Sequence, residues 1–425
     1  MKRILFAILL LNFLMVLSFS NQVLANGVLL ESVGPISTGR GATNIAHSDT
    51  GSMVYDNPAG LAHLKNDTVE LNAEYFSFSM HYRDPDNDQE GKEPDFILPS
   101  IFYMKHFKGL PIGIGVGVFS SDGFSSKYDL IHPAYGKQKY FSYSALSKII
   151  LGAGYKITDQ WSLGMGFGAS YSKIQLEMPY TFQTGALAGT PALIDMEGDD
   201  WSYTWNLGLQ MDLSSKTTLG LSYRCQDTFD MHGKLDMSIP AAPAPNSAHY
   251  DLGFDFRWPQ SAGFGLLHRL TDKHIVSLDV MWIDWSSAYD DLTLKLSNGD
   301  NATFNGMAGS RPQDNLPLHW KDGYSYRLGY EQIFTPQDTL RLGYLYTQSP
   351  VPDGTLVPMI PGILTHMFSI GYSREWKSCC FSLAYLYALP SKQSIGKSEI
   401  IGGDFDSSSL KESLHCFSLG ISYRI

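Results

Sequence analysis

From residue 68 to the end of the chain, apolar residues alternate with small or polar residues in runs of about ten positions. In the last run the apolar positions are Phe417, Leu419, Ile421 and Tyr423, and the positions between them are small or charged. Successive side chains of a β-strand point to opposite faces, so each run predicts a strand with one apolar and one polar face. In a soluble sandwich the apolar face packs in the core, whereas in a membrane barrel it contacts lipid.

The connections between these runs decide between the two folds. The fourteen predicted strands span residues 68–81, 96–107, 111–120, 143–157, 161–175, 201–213, 217–231, 256–270, 275–289, 321–334, 339–348, 366–376, 379–389 and 414–425. Tight turns alternate along the chain with long segments, around residues 82–95, 121–142, 176–200, 232–255, 290–320, 349–365 and 390–413. This sorting is typical of outer-membrane barrels. We therefore predict an all-β fold in which residues 68–425 form a 14-stranded antiparallel transmembrane β-barrel.

Composition and charge exclude several functions. The net charge is −11 and aromatic residues make up 13% of the chain. An acidic chain without a basic stripe is a poor nucleic-acid binder. The sequence has no Gly-x-Ser-x-Gly motif, and its 12 histidines form no cluster at metal-ligand spacing. We expect no enzyme activity, no cofactor and no metal site.

The first 25 residues have the features of a signal peptide. Lys2 and Arg3 precede an apolar run over residues 4–17, and small residues at 23–25 suit a cleavage site. A membrane anchor is the alternative interpretation. After Ala25 no apolar run approaches the ~20 residues of a spanning helix. We expect export to the outer membrane of a Gram-negative bacterium.

Residues 26–67 differ from the strands. They are rich in Gly, Ser, Asn and Pro, which favours turns and short helical pieces, and they are too few to build a core of their own. One interpretation is a periplasmic tail. The other is a hatch that lies inside the lumen, because a barrel of fourteen strands is wide enough to leak unless it is filled.

Several motifs resemble those of one family, the FadL family of outer-membrane long-chain fatty acid transporters (OMPP1/FadL/TodX type). The hatch motif of that family matches Asn57, Pro58 and Ala59, which follow a Gly-Arg-Gly-Ala stretch at residues 39–42. Further similar stretches are Trp-Ile-Asp-Trp-Ser at 282–286 and Ser-Pro-Val-Pro-Asp at 349–353. The resemblance therefore covers essentially the whole mature chain.

The resemblance implies a mechanism and partners. A hydrophobic substrate, most often a long-chain fatty acid, is captured at the extracellular loops and bound in the plugged lumen, and it leaves sideways through the barrel wall. Uptake of aromatic hydrocarbons is the alternative, and a general diffusion porin is a further one. We also expect contact with outer-membrane lipid and lipopolysaccharide, insertion by the barrel assembly machinery, and a monomer.

The third strand is the candidate lateral gate. Its apolar residues alternate with Gly113, Gly115 and Gly117, and a bend is expected just beyond them. Glycine inside a strand often marks a bulge or a close approach, although ordinary barrel curvature is an alternative reason. The gate candidates are Gly113, Gly115, Gly117, Ser120, Asp122 and Gly123.

Charged residues supply two weaker candidate sites. By alternation Arg224, Arg327 and Arg341 face the lumen, where an arginine could bind a substrate carboxylate or simply pair with an acidic neighbour. The loop that contains Asp84, Asp86 and Asp88 has half of a calcium-loop pattern. Gln89 occupies the position that needs Gly, so a solvated acidic loop is the preferred interpretation.

Overall fold

The computed structural model describes residues 27–29, 31–92 and 95–425. The predicted signal peptide, residues 1–25, lies outside the described residues. The described part contains a 20-stranded antiparallel sheet. Its first strands are β1 (Gly27–Leu29), β2 (Thr68–Arg83), β3 (Asp88–Glu90), β4 (Phe96–His106), β5 (Ile112–His132), β6 (Gly136–Lys156), β7 (Trp161–Thr181), β8 (Pro191–Ser214), β9 (Thr217–Arg224) and β10 (Asp227–Ser238). The remaining strands are β11 (Ser247–Trp258), β12 (Ser261–Thr271), β13 (His274–Ile283), β14 (Asp291–Ser297), β15 (Gln313–Pro317), β16 (Gly323–Thr335), β17 (Asp338–Thr347), β18 (His366–Trp376), β19 (Cys379–Ile395) and β20 (Ser408–Arg424).

The sheet closes into the predicted barrel. Each wall strand pairs antiparallel with its neighbour in sequence, and β20 pairs with β2 from Arg424↔Thr68 to Ser409↔Arg83. Several wall strands are interrupted: β9 with β10, β11 with β12, β13 with β14, and β15 with β16 each make one wall position. The short strands β1 and β3 pair with β5 and β2 and are not counted as wall strands. With each interrupted pair counted once, the wall has 14 strands, which confirms the prediction.

The helical elements are few and short. They are α1 (Pro35–Gly39), α2 (Met53–Asp56) and α3 (Ala302–Ala308), with 3₁₀ turns at Pro58–His63, Gly185–Leu187 and Asp353–Thr355. Within the described part of the chain, no helix combines the length and the apolar character needed to cross a bilayer.

The predicted alternation is present in the membrane-embedded strands. Along β8, Trp205 and Leu207 are exposed on the outer face, while Asn206 and Gln210 are 1% and 2% exposed on the inner face. Aromatic pairs also occur on these strands, such as Tyr171 with Trp201, whose ring centroids lie 5.1 Å apart. The apolar face therefore points to lipid and the polar face to the lumen, as in other outer-membrane barrels.

Several strands continue further outward than the sequence analysis predicted. Residues 121–142 were expected to be a long loop, but β5 and β6 stay paired up to His132↔Gly136. The segments 176–200 and 232–255 are likewise mostly strand, in β7, β8, β10 and β11. The expectation of loops was wrong because the alternation inverts there: Ile194 and Met196 on the inner face of β8 are apolar, whereas Asp195 and Glu197 on the outer face are exposed. An outer face that meets water instead of lipid carries charge.

Candidate functional site

The floor of the barrel interior is made by residues 31–67, which we call the inner segment. Its main chain and side chains contact lumen-facing groups on wall strands all around the barrel, from Glu74 on β2 to Asp279 on β13 and Ser369 on β18. Only a segment inside the barrel can reach strands on opposite sides at once. The inner segment therefore contacts lumen-facing groups of the wall in the described structure, and its role as a hatch stays a prediction.

The predicted hatch motif connects the inner segment to β8 and β9. The Asn57 side chain donates to the carbonyl oxygens of Ile45, Leu209 and Leu221 at 2.7, 3.1 and 3.3 Å. Its own oxygen accepts from the backbone N–H of Ala59 at 3.1 Å, which caps the 3₁₀ turn that Pro58 begins. Asparagine provides both the donors and the acceptor in this position.

Glycines of the wall let the motif approach closely. A Cβ on Gly164 would lie 2.1 Å from the backbone nitrogen of Ala59, and one on Gly208 would lie 1.9 Å from the Asn57 side-chain oxygen. Real Cβ atoms do not approach other atoms this closely, so both positions require glycine. Asn206 adds hydrogen bonds to the carbonyl oxygens of Val54 and Tyr55 at 3.0 and 2.8 Å.

A buried charge cluster holds the periplasmic side of the inner segment. The Arg40 guanidinium, fully buried, binds Asp49 at 2.8 Å and lies 3.7 Å from Glu331, which also binds Arg341 at 2.7 Å. His47 lies in the same cluster, and burial, followed by the positive charge of Arg40, lowers its pKa to about 4. His47 is therefore neutral at physiological pH.

Two groups of side chains have positions that could suit a metal ion. Within the described residues, His47, Asp49 and Glu331 bring ligand atoms within 4.8 Å of one another, and so do Asp290, Asp291 and His319. The first group already contains a cation, because the Arg40 Nη1 lies 2.9 Å from His47 Nδ1. The three residues of the second group are all exposed.

The weak calcium candidates do not converge. Asp84 accepts from the backbone N–H groups of Asp86 and Asn87 at 2.8 and 2.6 Å, which makes a tight Asx turn. Asp88 instead contacts the His81 ring at 2.6 Å. The carboxylates of Asp84 and Asp88 thus bind protein groups on different sides of the loop.

The candidate gate strand, β5, has an interrupted ladder on one side. It pairs with β4 only from His106↔Gly113 to Ile101↔Val118, so Phe96 to Ser100 of β4 have no partner on β5 in the described ladder. On its other edge β5 stays paired with β6, with one bulge where Ser121 is skipped between Ser120 and Asp122. The bulge inverts which residues face inward.

The individual gate candidates fall into two groups. Gly113 and Gly115 lie against the inner segment, since a Cβ there would be 2.0 Å from the Leu61 oxygen and 2.6 Å from a Val54 methyl. A Cβ on Gly117 would lie 2.6 Å from the Phe102 ring, so glycine leaves room for this ring. Asp122 and Gly123 pair with β1 at Leu29 and Gly27, and Ser120 is bonded to Ser147 at 3.1 Å.

The three lumen arginines all face inward, and each has an acidic partner. Arg224 binds Asp56 of the inner segment at 2.7 Å, and Arg341 binds Glu331. Arg327 binds Glu31 and donates to the Ala42 carbonyl at 3.2 Å. Their role in substrate binding stays a prediction. In the structure, Arg224 and Arg327 connect the wall to the inner segment, and Arg341 connects two wall strands.

An apolar cavity lies directly above the inner segment. Its rings come from Phe76 and Phe78 on β2 and from Trp285 and Trp320 in the extracellular connections. The other lining residues are Glu31, Ser32, Thr347, Gln348, Pro350, Gly362, Leu364, Met367, Leu386, Glu412, Leu414 and Cys416. The cavity is next to the interrupted ladder, because Phe76 pairs with Phe96 of β4 and their ring centroids lie 5.2 Å apart.

The outward continuation of the strands forms an apolar cup above this cavity. We define the outer cup as the strand segments 124–131, 191–198, 229–238 and 247–256 with the loops that pack inside them. Its inner face is a large cluster of buried apolar side chains, including Tyr128, Met196, Phe254 and Tyr289. Residues 351–363 fold into the cup, where the Ser142 hydroxyl donates to the Met359 carbonyl at 2.5 Å.

Several residues of this site were not predicted from the sequence. Lys148 and Asp227 form a buried pair at 2.5 Å, with the Lys148 nitrogen 5.0 Å from the centre of the Tyr55 ring. Glu31 and Glu412 were also missed. Alternation along the predicted strand 143–157 could have placed Lys148 on the inner face, but no local signal identified its partner. Glu412 lies in the segment 390–413, which was predicted to be a loop.

The sequence of this chain is similar to those of known outer-membrane proteins. A sequence model of the family described as outer membrane protein transport protein (OMPP1/FadL/TodX) matches residues 16–424. The long-chain fatty acid transport protein of Salmonella typhi is 24% identical over 373 residues, which covers 78% of this chain and 80% of that protein. Outer membrane protein P1 of Haemophilus influenzae is 22% identical over 419 residues, covering 77% of this chain and 90% of its own.

Solved structures agree on the fold. The Pseudomonas putida toluene transporter TodX superposes with a TM-score of 0.77 at 17% identity, over 93% of this chain and 99% of that chain. A Pseudomonas aeruginosa FadL homologue gives a TM-score of 0.76 at 16% identity, over 94% and 99% of the two chains.

Proposed function

Because the chain belongs to the OMPP1/FadL/TodX family of outer-membrane transport proteins, we propose that it takes up hydrophobic compounds and releases them sideways into the membrane. The protein resides in the outer membrane of a Gram-negative bacterium and is a transport channel, not an enzyme. In the proposed path the substrate enters through the outer cup, is held in the apolar cavity and leaves between β4 and β5. The inner segment closes the direct route to the periplasm.

The observation that carries this proposal is the change in polarity along the lumen. The upper interior is apolar, whereas the lower interior is lined by groups such as Asn206, Gln210 and Asp279 and is occupied by the inner segment. A hydrophobic compound that crossed the lower interior would lose about 0.8 kcal/mol of burial for each exposed CH₂. A sideways step into lipid avoids that loss.

The interrupted ladder supports the position of the exit. Phe96 to Ser100 of β4 have no ladder partner on β5, and Phe96 stacks on Phe76 of the cavity. A local absence of pairing allows a substrate to pass without breaking backbone hydrogen bonds elsewhere. Because the substrate passes through this existing gap, bulky groups near the bulge should narrow the gap and obstruct release.

Uptake assays with gate variants test the lateral route. Ser120→Phe should abolish uptake of labelled hexadecanoate or toluene by cells that depend on this protein, while the barrel still inserts and shows its heat-dependent shift on gels. Ile131→Phe, at an exposed position near the outer end of the same strand, is the matched control and should retain uptake. Normal uptake by Ser120→Phe would exclude release at this point.

The substrate class and the porin alternative need separate tests. Long-chain fatty acids are the first candidates because several curated relatives carry that name, and aromatic hydrocarbons are the alternative because structural neighbours are toluene transporters. A general diffusion porin would give steady, large ion conductance in planar bilayers. We expect near silence, because the inner segment occupies the lower lumen.

A further inference from the structure

The charges around the apolar cavity bear on which hydrophobic compounds it accepts, an inference that rests on the proposed function. Glu31 and Glu412 are the charged residues of its lining, and among the described residues that line it there is no Lys, Arg or His. The Glu31 carboxylate binds Arg327 and also accepts from the Thr347 hydroxyl at 2.7 Å. Glu412 is 1% exposed on β20. The lining thus offers acids and no base.

Five basic groups near the inner segment are already paired. Each of these five has an acidic partner within salt-bridge distance in the described structure. The pairs are Arg40 with Asp49, Lys148 with Asp227, Arg224 with Asp56, Arg327 with Glu31 and Arg341 with Glu331. A substrate carboxylate would have to displace one of these acids.

Arg224 is the strongest counter-candidate for a carboxylate site. Its Nε is buried without a hydrogen-bond partner, in a small second cavity that Lys148 also lines. However, the guanidinium already binds Asp56 and lies 4.0 Å from the centre of the Tyr55 ring. Three acidic residues line the same cavity, Glu31, Asp122 and Asp227. They equal in number its three basic residues, Lys148, Arg224 and Arg327. Asp56, which binds Arg224, adds a fourth acid. A further anion would meet an excess of negative charge.

We propose that the apolar cavity binds uncharged hydrophobic compounds, such as aromatic hydrocarbons, and discriminates against the ionised carboxylate of a fatty acid. A buried carboxylate is stable only with a cationic partner or several donors, and the described lining contains no base. Of its neutral donors, the Thr347 hydroxyl already donates to Glu31 and the Ser32 hydroxyl contacts Thr38. Glu31 and Glu412 add no positive charge to this lining.

The size and the rings of the cavity favour the same class. Its volume is about 80 Å³, less than the ~150 Å³ of an apolar cavity that holds benzene. A compact ring therefore requires a smaller widening of the cavity than an extended acyl chain does. The rings of Phe76, Phe78, Trp285 and Trp320 offer faces and edges to an aromatic ligand.

Tryptophan quenching by brominated ligands tests this class directly. Trp285 and Trp320 line the cavity, so a bound bromine in contact with them quenches their fluorescence. Matched probes are 4-bromotoluene against 4-bromobenzoate, and 16-bromohexadecanol against 16-bromohexadecanoate, with the full-length protein in detergent at pH 8. We expect each uncharged probe to bind at least tenfold more tightly than its acid.

Two variants establish that the quenching reports the cavity. Leu414→Phe fills the cavity from β20 and should weaken binding of the uncharged probes at least tenfold. Leu419→Phe, on the lipid-facing side of the same strand, should bind as the unaltered protein does. Equal affinity for acids and their uncharged partners would overturn the charge discrimination and leave the proposed function intact. No saturable binding of any probe, or binding unaffected by Leu414→Phe, would instead overturn the cavity itself as the substrate site.

Discussion

The lower and upper halves of the barrel interior are built by the same strands and have opposite character. On the inner face of β8, Asn206 and Gln210 are polar in the lower half, whereas Ile194 and Met196 are apolar in the outer cup. The lower half binds the inner segment through directed hydrogen bonds, and the upper half packs through apolar contacts. Which face of a strand is apolar therefore depends on whether lipid or water lies outside the wall, as well as on what packs inside it.

The difference also explains how one barrel can be closed and still carry hydrophobic compounds. A polar floor excludes apolar molecules and is held in place by many specific bonds. In the proposed path, the apolar mouth concentrates such molecules above the floor. The interrupted ladder between β4 and β5 lies where the two halves meet, beside Phe76 and Phe96.

Displacing the floor should have the largest effect. In Gly164→Val the new side chain would overlap the backbone of Ala59, which a Cβ alone would approach to 2.1 Å. We expect the inner segment to be displaced and ion conductance in planar bilayers to rise at least tenfold. Gly253→Val is the control, since the nearest atom to a Cβ there is 3.8 Å away. Unchanged conductance in Gly164→Val would mean that the inner segment does not close the lumen.

A polar group inside the outer cup should destabilise the upper half strongly. Phe254 is 0% exposed, so Phe254→Asn removes a buried ring and adds an amide without a designed partner. We expect the free energy of unfolding in urea to fall by about 3–5 kcal/mol. Asp255→Asn, on the outer face of the same strand, should change it by less than about 0.5 kcal/mol. Similar losses for both variants would contradict the inverted polarity.

Removing one acceptor should loosen the floor locally. Asp279 accepts from the backbone N–H groups of Asn44 and Ile45 at 2.7 and 3.0 Å. Asp279→Ala leaves both donors buried, at about 1–3 kcal/mol each. We expect faster hydrogen exchange at these amides, with no change in Asp230→Ala, whose side chain is on the outer face. Protection equal to that of the unaltered protein would show that Asp279 does not hold the segment.

Lowering the pH should weaken the binding of the inner segment to the wall, but less than the substitutions above. The pKa of His47 is about 4 in the folded protein against 6.5 when exposed, so its contribution to stability is complete above pH 6.5 and is lost as pH falls towards 4. Near pH 5 the loss is about 2 kcal/mol. Proteolysis of the inner segment should accelerate between pH 7 and pH 5. His47→Gln should remove that acceleration, and a persistent one would assign it to another group.

The two-residue period was sufficient to predict the membrane-embedded strands, because contact with lipid requires their outward positions to be apolar. The exposed outer faces of Trp205 and Leu207 confirm the predicted alternation, and the tight turns fall within two residues of their predicted places. Above the membrane the same rule failed. Strand segments with apolar residues inside and charged residues outside look like polar loops when the expected pattern is the reverse.

The candidate site residues likewise divide into features that the sequence predicted and features that only the structure showed. The sequence placed Arg224, Arg327 and Arg341 on the inner face, but it contained no information about Asp56, Glu31 and Glu331, which lie far away along the chain. The hatch motif was found by resemblance, and the reason for its asparagine became visible only with Leu209 and Leu221 in place.

By itself the sequence determined a barrel of fourteen strands with short turns on one side, because the two-residue period and the lipid boundary leave little freedom. The tertiary structure decided where the inner segment sits, which charges pair across the lumen and where the wall ladder is interrupted. Those features depend on contacts between residues separated by hundreds of positions, such as Thr43 with Ser277, and local patterns do not encode such contacts.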